Sequence, residues 1–176
     1  VSDLALRLAL SRGVSPADLP RHFIPRVSDW MPDPRLIADM ENAAAMLVDA
    51  IQAGRKIGIV GDYDVDGATS IAIMGSYFSD LGYTNWVFDV PDRLSEGYGV
   101  SPKAVKRLHE QGCSLVLVLD SGTTAFEAMA CATDLEMQMI VIDHHLVEAG
   151  WQAPAPVLVI NPKRADDFSN LNELCT

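Results

Sequence analysis

The sequence predicts an α/β fold, a parallel sheet flanked by helices and preceded by a helical and extended N-terminal arm. Three observations predict it. Four short apolar runs, KIGIV, TNWVFDV, CSLVLVL and QMIVI, alternate with helix-like stretches, the pattern of βαβ units whose strands are buried on both faces. Each run is followed by acidic, basic or histidine residues at what would be its carboxyl end. Prolines gather in SPADLPRHFIPRVSDWMPDP, ahead of the first run.

The elements follow in order. VSDLALRLALSRG reads as an amphipathic helix rather than a charged-then-apolar leader. The prolines after it forbid a long helix and suggest an extended path over the surface, so residues 1–33 form the expected arm. From Pro34, DPRLIADMENAAAMLVDAIQAG has helical periodicity, with Pro at its start and Gly at its end, and should run to about Gln52. ATSIAIMGSYFSDLG, SPKAVKRLHEQG and TTAFEAMACATDL are the crossover helices between the runs, and a fifth run, APVLVI, precedes Asn161 and Pro162. Residues 34–176 are expected to form one domain, without sequence repeats or low-complexity tracts.

At 176 residues and 49% hydrophobic content the chain can bury a real core. No apolar run approaches the roughly 18 residues that cross a bilayer, so the expected compartment is the cytoplasm, with no membrane partner. Cys113, Cys131 and Cys175 are odd in number and lack metal-site spacing, and no chemistry is assigned to them. A net charge of −11, from 13 Lys plus Arg against 24 Asp plus Glu, argues against broad adhesion to nucleic acid. Lys103, Lys106 and Arg107, and Lys163 with Arg164, are either a local basic path or solvated faces.

In an open α/β sheet, ligands bind outside the carboxyl ends of the strands. There KIGIV gives way to Asp62, Asp64 and Asp66, WVFDV to Pro91, Asp92 and Arg93, LVLVL to Asp120, Ser121 and Gly122, and MIVI to Asp143, His144 and His145. Alternate residues of an extended segment share a face, so the first three acids can converge, and Gly67 would permit a tight turn into the next helix. Crowded carboxylates repel one another unless a cation neutralises them. Asp120 and a histidine complete a mixed oxygen and nitrogen donor set suited to Mn²⁺, with Mg²⁺ second and Zn²⁺ or Fe²⁺ also compatible. Several bridging carboxylates favour two ions about 3.5–4 Å apart. Taken singly, each acid is also a plausible helix N-cap, Asp120 before SGTT above all. Walker A, GxGxxG and a nucleophile elbow are all missing.

These residues resemble the DHH phosphoesterase superfamily, whose fold is Rossmann-like: GDYDVDGATS is similar to its first motif, LVLDSG to its second and VIDHH to its third. VPDRLSEGYGVSPKAV and SRGVSPADLPRHFIP resemble segments of the RecJ-like single-strand-specific exonucleases within it. The resemblance implies that Asp62, Asp64, Asp66, Asp120 and His144 bind metal, with Asp120 bridging two Mn²⁺ ions. It implies that His145 contacts the scissile phosphate or assists the leaving oxygen, and that Asp143 orients the histidines. Arg93 is a candidate bidentate phosphate clamp, or else the partner of Asp92 or Glu96 in a loop salt bridge, and Tyr98 is either a surface on which bases of the strand stack or a packed loop aromatic. Ser121 departs from the Asn usual at its position.

The implied activity is metal-dependent hydrolysis of single-stranded DNA from the 5′ end, in repair and recombination, with single-strand-binding protein as a companion. The family's fourth motif and C-terminal DHHA1-type domain find no counterpart before the chain stops at NELCT, and it starts at Val1 without Met. The expectation is therefore a fragment or truncated relative, weak or inactive alone, of an intact nuclease. The alternatives are a phosphodiesterase for short oligonucleotides or cyclic dinucleotides, a pyrophosphatase, or a non-catalytic scaffold of the same fold.

Overall fold

The computed structural model describes residues 1–92, 96–148 and 150–176, in two units, Val1–Pro34 and Arg35–Thr176. In the first, α1 (Asp3–Ser11) is capped by Ser2, whose hydroxyl accepts from the Ala5 amide at 3.2 Å. The segment expected to be extended instead coils into two short helices, α2 (Leu19–Phe23) and α3 (Val27–Trp30). Pro20 sits in the first turn of α2, where no amide is needed, and Pro25 follows its last residues; the prolines limit helix length without abolishing helix.

A 3-10 turn covers Pro34–Leu36, and the helix expected from Pro34 starts only at Met40, as α4 (Met40–Gln52) of the second unit. Asp39 adopts a left-handed φ of 63° and breaks the continuity. Its carboxylate is held by the Arg164 guanidinium at 2.7 Å, a contact 125 residues away in the chain that outweighs local helical preference.

Five parallel strands, β1 (Ile57–Gly61), β2 (Trp86–Asp89), β3 (Leu115–Leu119), β4 (Gln138–Ile142) and β5 (Leu158–Ile160), stand in the order β2-β1-β3-β4-β5. The fifth apolar run is the short outer strand β5. Helices α5 (Val65–Asp80), α6 (Pro102–Glu110) and α7 (Phe126–Asp134) complete the unit. Period-two alternation divides the central strands between two cores. Ile57, Ile59, Leu115, Leu117 and Leu119 pack with Ala43 and Ala50 of α4 and Phe78 of α5, while Val60, Val116 and Val118 pack with α6 and α7 through Val105, Leu108 and Met129. The runs show no polar alternation because both faces are covered. At about 1.5–3 kcal/mol for each fully buried aliphatic side chain, β3 alone, buried at all five positions, is a main source of stability.

The chain passes from β1 outward to β2 and then back across β1 to β3. This reversal opens a crevice between the carboxyl ends of β1 and β3. Asp62 follows the first of these strands and Asp120 the second.

Candidate metal centre

The acids after β1 converge differently from the alternating strand expected. The backbone is still extended at Asp64, but α5 begins at Val65, so Asp66 lies in the first helical turn. Asp64 is the N-cap: its Oδ1 accepts from the Gly67 amide at 3.1 Å. That bond, the strongest influence on its carboxyl, holds its pKa below the ordinary 3.8 against the cost of burial. Capping occupies one oxygen and leaves the other for a cation. Gly67 has a different purpose from the turn predicted for it. It lies inside the helix, and a Cβ there would collide with the backbone of Asp62, so the absence of a side chain lets α5 start directly against the end of β1.

Asp120 is buried, and its φ of 61° places it in the left-handed region as the chain turns off β3. It does not cap α7, which starts at Phe126 after an Ala125 without a side-chain cap. Burial and the neighbouring Asp64 carboxylate raise its pKa from 3.8 to about 6.

His144 brings its Nε2 to 3.3 Å from Asp120 Oδ1 and 4.0 Å from Asp66 Oδ2. Despite that proximity, Asp120 Oδ1 is buried without a hydrogen-bond partner, and so is Asp62 Oδ1. The orphaned Asp120 oxygen and the His144 nitrogen, beside the half-buried Asp66 carboxylate, fit a divalent cation, and among the described residues no proton donor satisfies the Asp62 oxygen either. Ligand atoms of Asp120, His144 and His145 all lie within 4.8 Å of one another.

His145 differs from His144 in being held by Asp143 and met by Tyr98. Its Nδ1 is 2.7 Å from Asp143 Oδ1, and its Nε2 is 3.0 Å from the Tyr98 hydroxyl. Asp143 is buried and accepts at both oxygens: Oδ1 from the amides of His144 (2.7 Å) and His145 (3.1 Å) and from the His145 ring, and Oδ2 from the Thr123 amide (3.0 Å) and hydroxyl (2.6 Å). Burial alone would raise its pKa, but the Thr123 and His145 bonds outweigh it and keep the carboxyl below 3.8.

Three residues of this network carried no sequence signal. Asn161 donates to the Thr123 hydroxyl at 2.9 Å and to the His145 carbonyl at 3.0 Å, and Trp151 Nε1 donates to the Thr123 carbonyl at 2.9 Å. Thr123 could have been suspected only from its place after LVLDSG, and Asn161 only from its place after β5.

The basic clusters lose their two arginines to internal pairing. Arg107 binds Asp89 and Glu96, with shortest contacts of 2.6 and 2.9 Å, and buried Arg164 binds Asp39, Asp166 and the Val159 carbonyl. Lys103 and Lys106 remain exposed. Arg93 lies outside the described residues. Tyr98 is exposed, yet burial of its hydroxyl, followed by the charges of Asp143, Asp62, Asp120 and Asp64, raises its pKa above the ordinary 10.

The chain is similar to known proteins. The DHH family, N-terminal domain, matches residues 56–174. The single-stranded-DNA-specific exonuclease RecJ of Escherichia coli (strain K12) is 35% identical over 163 residues, which make up 93% of this chain and 27% of that protein. RecJ of Bacillus subtilis (strain 168) is 33% identical over 164 residues, 93% of this chain and 20% of its own. A crystal structure of exonuclease RecJ bound to manganese superposes with a TM-score of 0.65 at 33% identity, covering 78% of this chain and 33% of that one. RecJ from Thermus thermophilus in complex with Mn²⁺ gives 0.60 at 28% identity, covering 75% and 18%. The chain spans about a quarter of the length of the curated relatives it matches. Because the match runs through the whole five-stranded sheet and every acid at its carboxyl edge, this chain belongs to the DHH family.

Proposed function

We propose that this chain carries the metal-holding part of a RecJ-like exonuclease that hydrolyses phosphodiester bonds of single-stranded DNA. The observation behind this reading is the pair of buried, unpartnered oxygens on Asp62 and Asp120, the latter 3.3 Å from His144 Nε2. Carboxylates with one imidazole suit Mn²⁺ better than Mg²⁺, and the two RecJ structures similar to this chain are described as manganese-bound.

Asp62, Asp64, Asp66, Asp120 and His144 are the proposed ligands, with Asp120 placed to bridge two ions. When bound, divalent cations neutralise the carboxylates, lower the pKa of water and polarise phosphate oxygens. The remaining residues act on the substrate. The His145 ring is exposed and held at Nδ1 by Asp143, so its Nε2 can donate to a phosphate oxygen or to the leaving oxygen. Thr123 and Asn161 fix Asp143 and the His145 backbone from beneath. Arg93 is the proposed phosphate clamp, in keeping with its planar fork of donors.

Cleavage from the 5′ end, a place in repair and recombination and proximity to single-strand-binding protein accord with the likeness to RecJ. The 176 residues alone are expected to be weakly active, since they match about a quarter of the relatives' length. Among the described residues, no helix is long and apolar enough to cross a membrane. The test is Asp120→Ala in the intact protein, assayed with Mn²⁺ on 5′-labelled single-stranded DNA. The rate should fall at least about a thousandfold. A variant with an unchanged Mn²⁺-dependent rate would overturn the bridging role, and an intact protein that cleaves dinucleotides faster than long strands would favour an oligonucleotide phosphodiesterase.

A further inference from the structure

The sequence suggests Tyr98 as a surface for stacking bases, a role that uses the ring face. The structure engages the hydroxyl instead. It lies 3.0 Å from His145 Nε2 and 3.3 Å from Nδ1, over the face of the imidazole, and donates to the carbonyl oxygen of Asp120 at 3.2 Å. The two rings meet edge to face, with centroids 5.6 Å apart and planes at 75°.

The partners define what this contact does. Asp143 accepts at Oδ1 from two backbone amides and sits 2.7 Å from His145 Nδ1, so that ring nitrogen carries a proton. The Tyr98 hydroxyl donates its one proton to the Asp120 carbonyl and rests its oxygen on the ring face, a contact that does not use the in-plane direction of Nε2. The imidazole is thus held at Nδ1 by Asp143 and on one face by Tyr98, and the second tether leads to the backbone of a proposed metal ligand.

The loop is built to deliver that hydroxyl. Gly97 and Gly99, on either side of Tyr98, have φ of 84° and 73°, conformations unfavourable for other residues. A Cβ on Gly99 would lie 3.3 Å from the Ser121 Cβ, so the loop passes close to the residue after Asp120. Two residues before Tyr98, Glu96 is anchored by Arg107 through contacts of 3.0 and 2.9 Å, and the same guanidinium holds Asp89 at the end of β2.

We propose that Tyr98 is a positioning residue whose hydroxyl ties the end of β3 to His145 and holds the imidazole in the plane from which Nε2 meets the phosphate. This rests on the reading of His145 as the histidine that meets the phosphate. A stacking residue and a positioning residue respond differently to loss of one oxygen. Tyr98→Phe keeps the ring and should preserve stacking, whereas Tyr98→Ala removes both functions.

Two measurements test this. In the intact protein with Mn²⁺ and single-stranded DNA, Tyr98→Phe should lower kcat about tenfold or more with KM within about twofold. In the 176-residue chain without metal, long-range ¹H–¹⁵N spectra of the imidazoles should show the His145 ring-nitrogen signals shifted or broadened in Tyr98→Phe. Unchanged ring signals in Tyr98→Phe would overturn the tether, as would wild-type kcat with only Tyr98→Ala raising KM, the pattern of a stacking platform. The spectra need no hydrolysis, so they decide the tether even if the intact protein is not a nuclease.

Discussion

His144 Nε2 lies 3.3 Å from Asp120 Oδ1, yet that oxygen has no hydrogen-bond partner. The proposed roles of Asp120 and His144 as ligands of one cation account for this pairing. An isolated structural pair would have rotated into a hydrogen bond, since an unsatisfied buried carboxylate oxygen costs about 1–3 kcal/mol or more.

That cost makes Asp120 a source of instability in the metal-free protein. Its folded pKa, about 6 against an ordinary 3.8, means that the folded state binds its proton more tightly than the unfolded state. The stability it contributes is therefore present at low pH and lost as the pH rises from about 4 through about 6. Asp120→Asn should stabilise the metal-free chain at about pH 7.5 by about 1 kcal/mol or more. Each kcal/mol raises Tm by about 2–4 °C at this chain length. Thermal melts with and without Mn²⁺ check this: the variant should melt higher without metal and gain nothing on adding it.

The same carboxyl sets the pH dependence of metal binding. Mn²⁺ needs the ionised form, so its affinity should fall as the pH drops below about 6, by about tenfold per unit for one competing proton. Titrations between about pH 5 and 8 would reveal the break, which should disappear in Asp120→Asn along with most of the affinity.

Asp143 should behave in the opposite sense. Its pKa is held below 3.8, so its stabilisation is present above that value and lost as the pH falls through the lowered pKa. Asp143→Ala would leave the Thr123 amide and hydroxyl and the amides of His144 and His145 without their acceptor. A loss of about 2–4 kcal/mol is expected, read as a lower urea midpoint.

Gly67→Ala should be costly even though alanine favours helix. The added methyl would meet the Asp62 backbone, which cannot move without displacing the end of β1. The expected loss is about 3 kcal/mol or more, together with impaired Mn²⁺ binding.

Arg107→Met separates the substrate loop from the metal. The guanidinium is partly exposed, so stability should change by no more than about 1 kcal/mol. Mn²⁺ affinity should be unchanged, while kcat of the intact protein on single-stranded DNA should fall several-fold because Glu96 and the loop that carries Tyr98 are released.

Much of the fold was legible in the sequence because the strands are buried on both faces and read as unbroken apolar runs between helical stretches. The position of the acids was legible for the same reason: Asp62, Asp120 and Asp143 each interrupt such a run at its end. What was not legible depends on distant partners. Asp39 leaves the helical conformation beside Arg164, Arg107 is consumed by Asp89 and Glu96, and Thr123 and Asn161 meet beneath Asp143 only because β3, β4 and β5 are neighbours. The cause of Gly67 was also hidden, since a close approach of α5 to β1 looks in sequence like any glycine at a turn.

The central claim is that the carboxyl edge of this sheet holds a divalent cation. The most direct test is calorimetric titration of the 176-residue chain with Mn²⁺, beside a variant carrying both Asp64→Ala and Asp66→Ala. Saturable binding by the wild-type chain, weakened at least about tenfold in the variant, is the predicted result. Equal binding by the two chains would contradict it, because the cation would then be held somewhere other than the end of β1.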